Sequence, residues 1–221
     1  MCLIVEKNGI LAYLDSVEKE VFKVAKALLA VDLQNDFYEE GSLAVAGASQ
    51  INQKVNQLLK SDEYQVVVAS QDWHPKKHLS FASNHNQEPF TPYSDEQGLG
   101  PVLWPDHCVQ QTEGAEFNPE IKTENFDYII RKGTEIEVDS YSAFQDNDGS
   151  NLGLAGLLKS IGIEEVDIVG LAFDVCVKYT AQDSAKNGFK TNIILEGTRA
   201  VNPDEESKTK AELKKAGVNF K

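Results

Sequence analysis

A short β-branched run that passes within a few positions into a helical pattern constrains this chain more than any other feature. Val166-Asp-Ile-Val169 reads as a buried strand. From Asp174 onward Val177, Ala181 and Ala185 recur at helical spacing, and Gly188 stands where a left-handed C-cap is expected. Cys176 therefore falls in the turn between strand and helix, or in the helix's first turn. Unpaired N–H groups and the helix dipole at that position favour a thiolate and an oxyanion. A lone buried cysteine is more often inert, so the rest of the chain has to decide.

The same alternation of apolar runs and helical patterns recurs along the chain and predicts an α/β fold with a parallel sheet. Strands are expected at 27–31, 65–70, 128–130, 166–169 and 192–195. Ile51, Val55, Leu58 and Leu59 line one helix, and Leu152, Leu154, Leu157, Leu158 and Ile161 a second. A last helix has Asn202 as N-cap, Pro203 at its first position, acidic residues in its first turn and Gly217 beyond its end. Residues 73–125 show little periodicity and many Pro, Asn and Gly, which marks a long functional loop. Residues 1–25 form an N-terminal extension in which Leu11, Leu14, Val21 and Phe22 suggest an amphipathic helix without chemistry. The folded domain is expected to occupy 26–221.

With 221 residues, 41% of them hydrophobic, the chain can bury one sizeable core. A net charge of −14 argues against nucleic acid or an anionic membrane as partner. No apolar run reaches membrane-spanning length, and no basic-then-apolar leader opens the sequence. Cys2, Cys108 and Cys176 lie far apart without a C-x-x-C pair, which suits a reducing compartment and a cytoplasmic location.

Ligands of open parallel sheets bind beyond the carboxyl ends of the strands. Asp32, Asp72, Lys132 and Cys176 are all predicted at such ends. Cys176 suits a nucleophile, Asp32 a base that takes its proton and returns it to a leaving amine, and Lys132 a cation that holds Asp32. Taken singly, Asp32 would be a turn residue and Lys132 a solvated one. Asp72 and His74, at i and i+2 of an extended segment, point to one face, and His107 can complete a His, His, carboxylate set with open positions. That set suits zinc, iron or manganese. His78 and His85 read as supporting or surface residues. Phe37, Trp104 and Tyr141 neighbour these segments and can enclose a flat ring or simply pack.

These segments resemble the nicotinamidases, also called pyrazinamidases, of the isochorismatase-like cysteine hydrolase superfamily. The resemblance rests on Ala30-Val-Asp-Leu-Gln-Asn-Asp-Phe37, Ser70-Gln-Asp-Trp-His-Pro75, His78-Leu-Ser-Phe-Ala82, Leu103-Trp-Pro-Asp-His-Cys-Val109, Lys132-Gly133, Asp139-Ser-Tyr-Ser-Ala-Phe144 and Gly170-Leu-Ala-Phe-Asp-Val-Cys-Val177, in family order from about Lys26 onward. It implies a three-layer α/β/α, Rossmann-like fold with a mostly parallel sheet. It implies Asp32, Lys132 and Cys176 as catalytic triad, and Asp72, His74 and His107 as ligands of one divalent transition metal, zinc first, with iron or manganese as alternatives. It further implies Phe37, Trp104 and Tyr141 as the pyridine pocket, and a cis Leu171–Ala172 bond that aims the N–H groups of Ala172 and Cys176 at an oxyanion. The implied activity is hydrolysis of nicotinamide, a linear carboxamide, in NAD salvage. The rivals are another amide or isochorismate hydrolase of the superfamily and a catalytically dead binding protein. Family members usually carry other residues where Phe173 and Val175 stand here, which implies a reshaped pocket edge. A homo-oligomer is left open.

Overall fold

The computed structural model describes residues 24–96 and 98–221; the helix expected around Leu11 to Phe22 lies outside them. Among the described residues six strands form one sheet: β1 (Lys26–Val31), β2 (Val66–Asp72), β3 (Tyr128–Lys132), β4 (Glu165–Leu171), β5 (Lys190–Arg199) and β6 (Asn219–Phe220). Their order is β3-β2-β1-β4-β5-β6 and every pairing is parallel. The strand order reverses between β1 and β4, the place where open α/β sheets bind ligands.

Period-two alternation in β1 builds the three layers. Ala27, Leu29 and Val31 join a core with Leu154 and Leu158 of α2 (Leu154–Ser160), Val177 and Ala181 of α3 (Cys176–Lys186), and Leu213 of α4 (Glu206–Lys215). Leu28 and Ala30 face the other way, against Ile51 and against Val55 and Leu59 of α1 (Asn52–Leu59). Burying a single Leu such as Leu158 contributes about 1.5–3 kcal/mol. Both sheet faces are covered, so the central strands read as continuous apolar runs.

The elements agree with the sequence expectations, with differences at their ends. β2 and β3 run on to Asp72 and Lys132, because these two polar residues pair in register at the ends of their strands. Thus Asp72 and Lys132 are the last residues of strands rather than the first residues of loops. β5 continues four residues past its predicted end, and β6 was not foreseen. Pro203 opens a 3-10 turn, with the Asn202 side chain accepting from the Asp204 N–H, and the α-helix begins only at Glu206. Residues 73–125 hold only 3-10 turns and isolated bridges among the described residues.

Candidate active site

Asp32, the residue after β1, adopts a left-handed φ of 47°. Its side chain is fully buried beside the last residues of β2 and β3. Ser70 Oγ donates to Asp32 Oδ1 at 2.7 Å. Oδ2 lies 3.0 Å from Lys132 Nζ and has no aligned hydrogen-bond donor among the described residues. Lys132 Nζ also donates to the Ser140 carbonyl (2.9 Å), touches Asp72 Oδ1 and sits 3.5 Å from Cys176 Sγ. An oxygen of Asp32, one of Asp72 and the Cys176 sulfur all lie within 4.8 Å of one another. The ammonium thus stands between two carboxylates and the thiol, with no water-exposed face.

Burial sets the protonation of this group. It raises the Asp32 carboxyl above its ordinary range, with Lys132 opposing and Asp72 adding to the rise. Burial also works against ionised Asp72, yet Lys132 and His74 hold that carboxyl far below the usual range. Lys132 is disfavoured by burial but flanked by Asp32 and Asp72, which hold it charged well above the lysine range. The Cys176 thiol is pushed well up by burial, against Lys132. The helix start and Lys132 do favour the anion, but desolvation and two nearby carboxylates outweigh them. The raised Cys176 thiol thus has the Asp32 carboxyl beside it.

Asp72 turns its second oxygen to the other cluster. Oδ2 is 3.5 Å from His74 Nε2 and 3.9 Å from His107 Nε2. His74 Nδ1 faces the Gly133 carbonyl (2.9 Å) and His107 Nδ1 the Pro105 carbonyl (2.8 Å). A carbonyl only accepts, so each Nδ1 carries the proton and each ring turns its Nε2 inward toward Asp72; burial opposes charge on His74, yet Asp72 raises it above the ordinary histidine value. Two imidazoles oriented by carbonyls and one carboxylate, with ligand atoms within 4.8 Å of one another, fit a divalent transition metal. Burial, with the neighbouring His74, lowers His107 to about 4. Gly133 is required: with φ 63°, its Cβ would lie 2.3 Å from His74 Cε1.

His78, expected as a supporting or surface residue, is wholly buried. Its Nε2 donates to the Val138 carbonyl (3.0 Å) and its Nδ1 accepts from Ser80. It packs edge-on against His74, with ring centroids 4.4 Å apart, and offers no free lone pair. His85 lies apart, bonded through Nε2 to the Leu79 carbonyl.

A cavity of about 430 Å³, counted with its open mouth, connects the two clusters. Phe37, Trp104 and Tyr141 line it together with Asp72, His74, His107, Ala172 and Cys176. Trp104 Nε1 donates to the Tyr141 hydroxyl (3.0 Å), which fixes the two rings edge to face. Asp139, raised by burial to about 6, lies in the wall 3.0 Å from the same hydroxyl. The Leu171–Ala172 bond is cis. The N–H groups of Ala172 and Cys176 meet no acceptor among the described residues. Of the two positions expected to reshape the pocket edge, Val175 lines the cavity, while Phe173 turns away against Phe220.

All ten candidate residues therefore meet at one end of the sheet. Ser70, Ser140, Gly133 and Asp139 were not singled out by role from the sequence. Ser140 and Gly133 act through their carbonyls, which leave no mark in side-chain pattern. Ser70 immediately precedes Gln71-Asp72 in β2, and its alignment beside Asp32 follows only from strand register.

A buried cysteine at a strand–helix turn, backed by a carboxylate and an ammonium at the switch point of a parallel sheet, is the equipment of a cysteine-dependent hydrolase. Residues 26–220 match the isochorismatase domain. The chain belongs to that family. It is 46% identical over 181 residues to a nicotinamidase of Acinetobacter baylyi, covering 79% of this chain and 81% of the relative. Among solved structures, a nicotinamidase and pyrazinamidase of Acinetobacter baumanii superposes with a TM-score of 0.84 at 41% identity, over 89% of this chain and 95% of that one. A pyrazinamidase of Pyrococcus horikoshii in complex with zinc gives 0.73 at 32% identity, over 89% and 98%.

Proposed function

We propose that this chain hydrolyses nicotinamide to nicotinate and ammonia through a thioester on Cys176, a step of NAD salvage. The observation that carries the reading is Lys132 Nζ, 3.0 Å from Asp32 Oδ2 and 3.5 Å from Cys176 Sγ, at the back of an aromatic cavity. The names of the relatives, at up to 46% identity over most of both chains, support the substrate.

Asp32 takes the thiol proton as Sγ bonds to the carboxamide carbon. The N–H groups of Ala172 and Cys176 are free to donate to the developing oxyanion. Asp32 then gives its proton to the nitrogen, the C–N bond breaks and ammonia leaves. Water attacks the thioester, Asp32 takes one of its protons and passes it to the departing sulfur, and the acid leaves as nicotinate, its remaining proton going to solvent. Lys132 keeps Asp32 aligned and offsets charge as the thiol ionises. Phe37, Trp104 and Tyr141 enclose the ring and exclude water. Asp72, His74 and His107 would hold a divalent metal, zinc by their N, N, O donor set, which would offer the pyridine nitrogen a Lewis-acid contact. Zinc is also what the Pyrococcus horikoshii relative holds.

Among the described residues no helix is long and apolar enough to cross a membrane. The free, buried thiols of Cys108 and Cys176 support a reducing compartment, the cytoplasm.

The test is ammonia release from nicotinamide, benzamide and a carbamoyl amide, with isochorismate cleavage followed in parallel. Nicotinamide should be preferred, and benzamide, which lacks the ring nitrogen, should lag by orders of magnitude. Equal rates on nicotinamide and benzamide would remove the metal contact from the reading. Activity on isochorismate alone would overturn it.

A further inference from the structure

Asp72 ends β2 with only one neighbouring strand. β3 pairs with it on one side, Asp72 against Lys132, but β1 pairs with β2 only as far as Ala30 and Ala69 before the chain turns at Asp32. A side chain stands where the missing strand would be. Gln34, fully buried, accepts the Asp72 N–H at 2.8 Å and donates to the Asp72 carbonyl at 2.7 Å. Its second N–H goes to the Ala115 carbonyl at 2.9 Å. The amide reproduces the two bonds of a strand pair and fixes the backbone of a candidate ligand.

Two residues on, Asp36 does the same for the histidines. Its Oδ2 accepts the Cys108 N–H at 2.7 Å, immediately after His107. The Cys108 carbonyl in turn accepts the His74 N–H at 3.0 Å, and the His74 carbonyl accepts from Gln110 at 2.9 Å. One residue, Cys108, thus ties together the backbones that carry both imidazoles. Gly114 lets the carboxylate sit there, because a Cβ at that position would fall 2.1 Å from Asp36 Oδ2. Neither Gln34 nor Asp36 lines the cavity.

We propose that Gln34 and Asp36 are positioning residues of the metal centre, holding the Asp72 and His107 backbones at the spacing that Asp72, His74 and His107 need to close on one cation. The proposal rests on the reading of those three as metal ligands. Outer contacts of this kind typically govern metal affinity by 10- to 100-fold.

The experiment is zinc affinity by competition with a chromophoric chelator, in the full chain and in Gln34→Met, Asp36→Ala and Asp36→Asn. Circular dichroism at the same temperature reports the folded fraction, and kcat and KM are measured at saturating zinc. Gln34→Met and Asp36→Ala should bind zinc about 10- to 100-fold more weakly. Asp36→Asn, which keeps an acceptor for Cys108, should recover most of that loss. Saturating zinc should restore kcat in every variant that folds. If the unmodified protein binds no zinc, the ligand reading itself fails. If it binds zinc and the folded variants bind equally well, the positioning proposal is overturned. Should Asp36→Ala fail to fold, Asp36→Asn and Gln34→Met decide, and wild-type affinity in folded Gln34→Met is enough to overturn it.

Discussion

The two ends of the same sheet each bury two carboxylates among lysines, and they do it to opposite effect. At the amino end, Glu165 and Asp167 of β4 are almost completely covered, and every oxygen has a donor. Lys221 Nζ reaches Glu165 Oε1 (2.9 Å) and both Asp167 oxygens (2.8 and 2.9 Å). Lys190, Asn192 and Tyr64 supply the rest. Burial opposes the charge on Glu165, yet Lys190 and Lys221 hold it down at about 2. These lysines keep part of their length in water: the Lys190 side chain is 65% exposed and that of Lys221 40%. At the carboxyl end a single lysine with no exposure serves two carboxylates and a thiol. One oxygen of Asp32 is left without an aligned donor, and both Asp32 and Cys176 are raised by burial. A fully satisfied buried network fixes structure, whereas an incompletely satisfied one holds groups ready to exchange a proton.

The comparison breaks most visibly at its lysines. Lys132→Met should leave two buried carboxylates without a counter-charge. It should cost about 3–5 kcal/mol in urea unfolding and lower kcat by a factor on the order of a thousand. Turnover near the unmodified rate in a folded Lys132→Met protein would reduce Lys132 to a structural cation.

Next in size is the metal cluster. His74→Ala should lose the bound metal, measured by elemental analysis, and turnover should fall by about a hundredfold as the ring loses its alignment. An active preparation that carries no metal, or full activity after thorough chelation, would contradict this.

Much of this site was legible in the sequence. Asp32, Asp72, Lys132 and Cys176 stand at the ends of recognisable strands, and Asp72 and His74 declare a shared face by their spacing. His107 has no such local signal and entered only as a histidine that could complete the set. What was not legible passes through backbone or through register. The Gly133 and Ser140 carbonyls, and the Gln34 bracket on Asp72, 38 residues away, are invisible to pattern. The amino-end network was missed for the same reason: Lys221 and Glu165 are 56 residues apart and meet only because the two-residue β6 was added to the sheet.

Glu165→Gln sharpens the comparison from the other end. It should cost about 1.5–3 kcal/mol of stability at neutral pH while leaving kcat unchanged. Glu165 is lowered in the fold, so its contribution is complete above the ordinary glutamate value of 4.5 and fades as pH falls toward about 2. Urea titrations across that window should show a shallower acid loss in the variant. A fall in kcat comparable to that of Lys132→Met would erase the distinction between the two ends.

The smallest effect should come from the extension. We propose that residues 1–25 take no part in chemistry, since every residue assigned to the site lies beyond Ala30. Removing residues 1–22 should leave kcat and KM on nicotinamide nearly unchanged. A truncated enzyme that folds normally yet loses most of its turnover would place the extension in the site or its assembly.

The most direct test of the site is ammonia release from nicotinamide by Cys176→Ala, measured on protein shown to be folded and to retain its metal. Removal of a nucleophile that acts as a unit with its base should cut turnover by roughly a millionfold, to the limit of detection, with nicotinamide still bound. Substantial ammonia release by that protein would show that the thiol between Asp32 and Lys132 is not where the amide bond breaks.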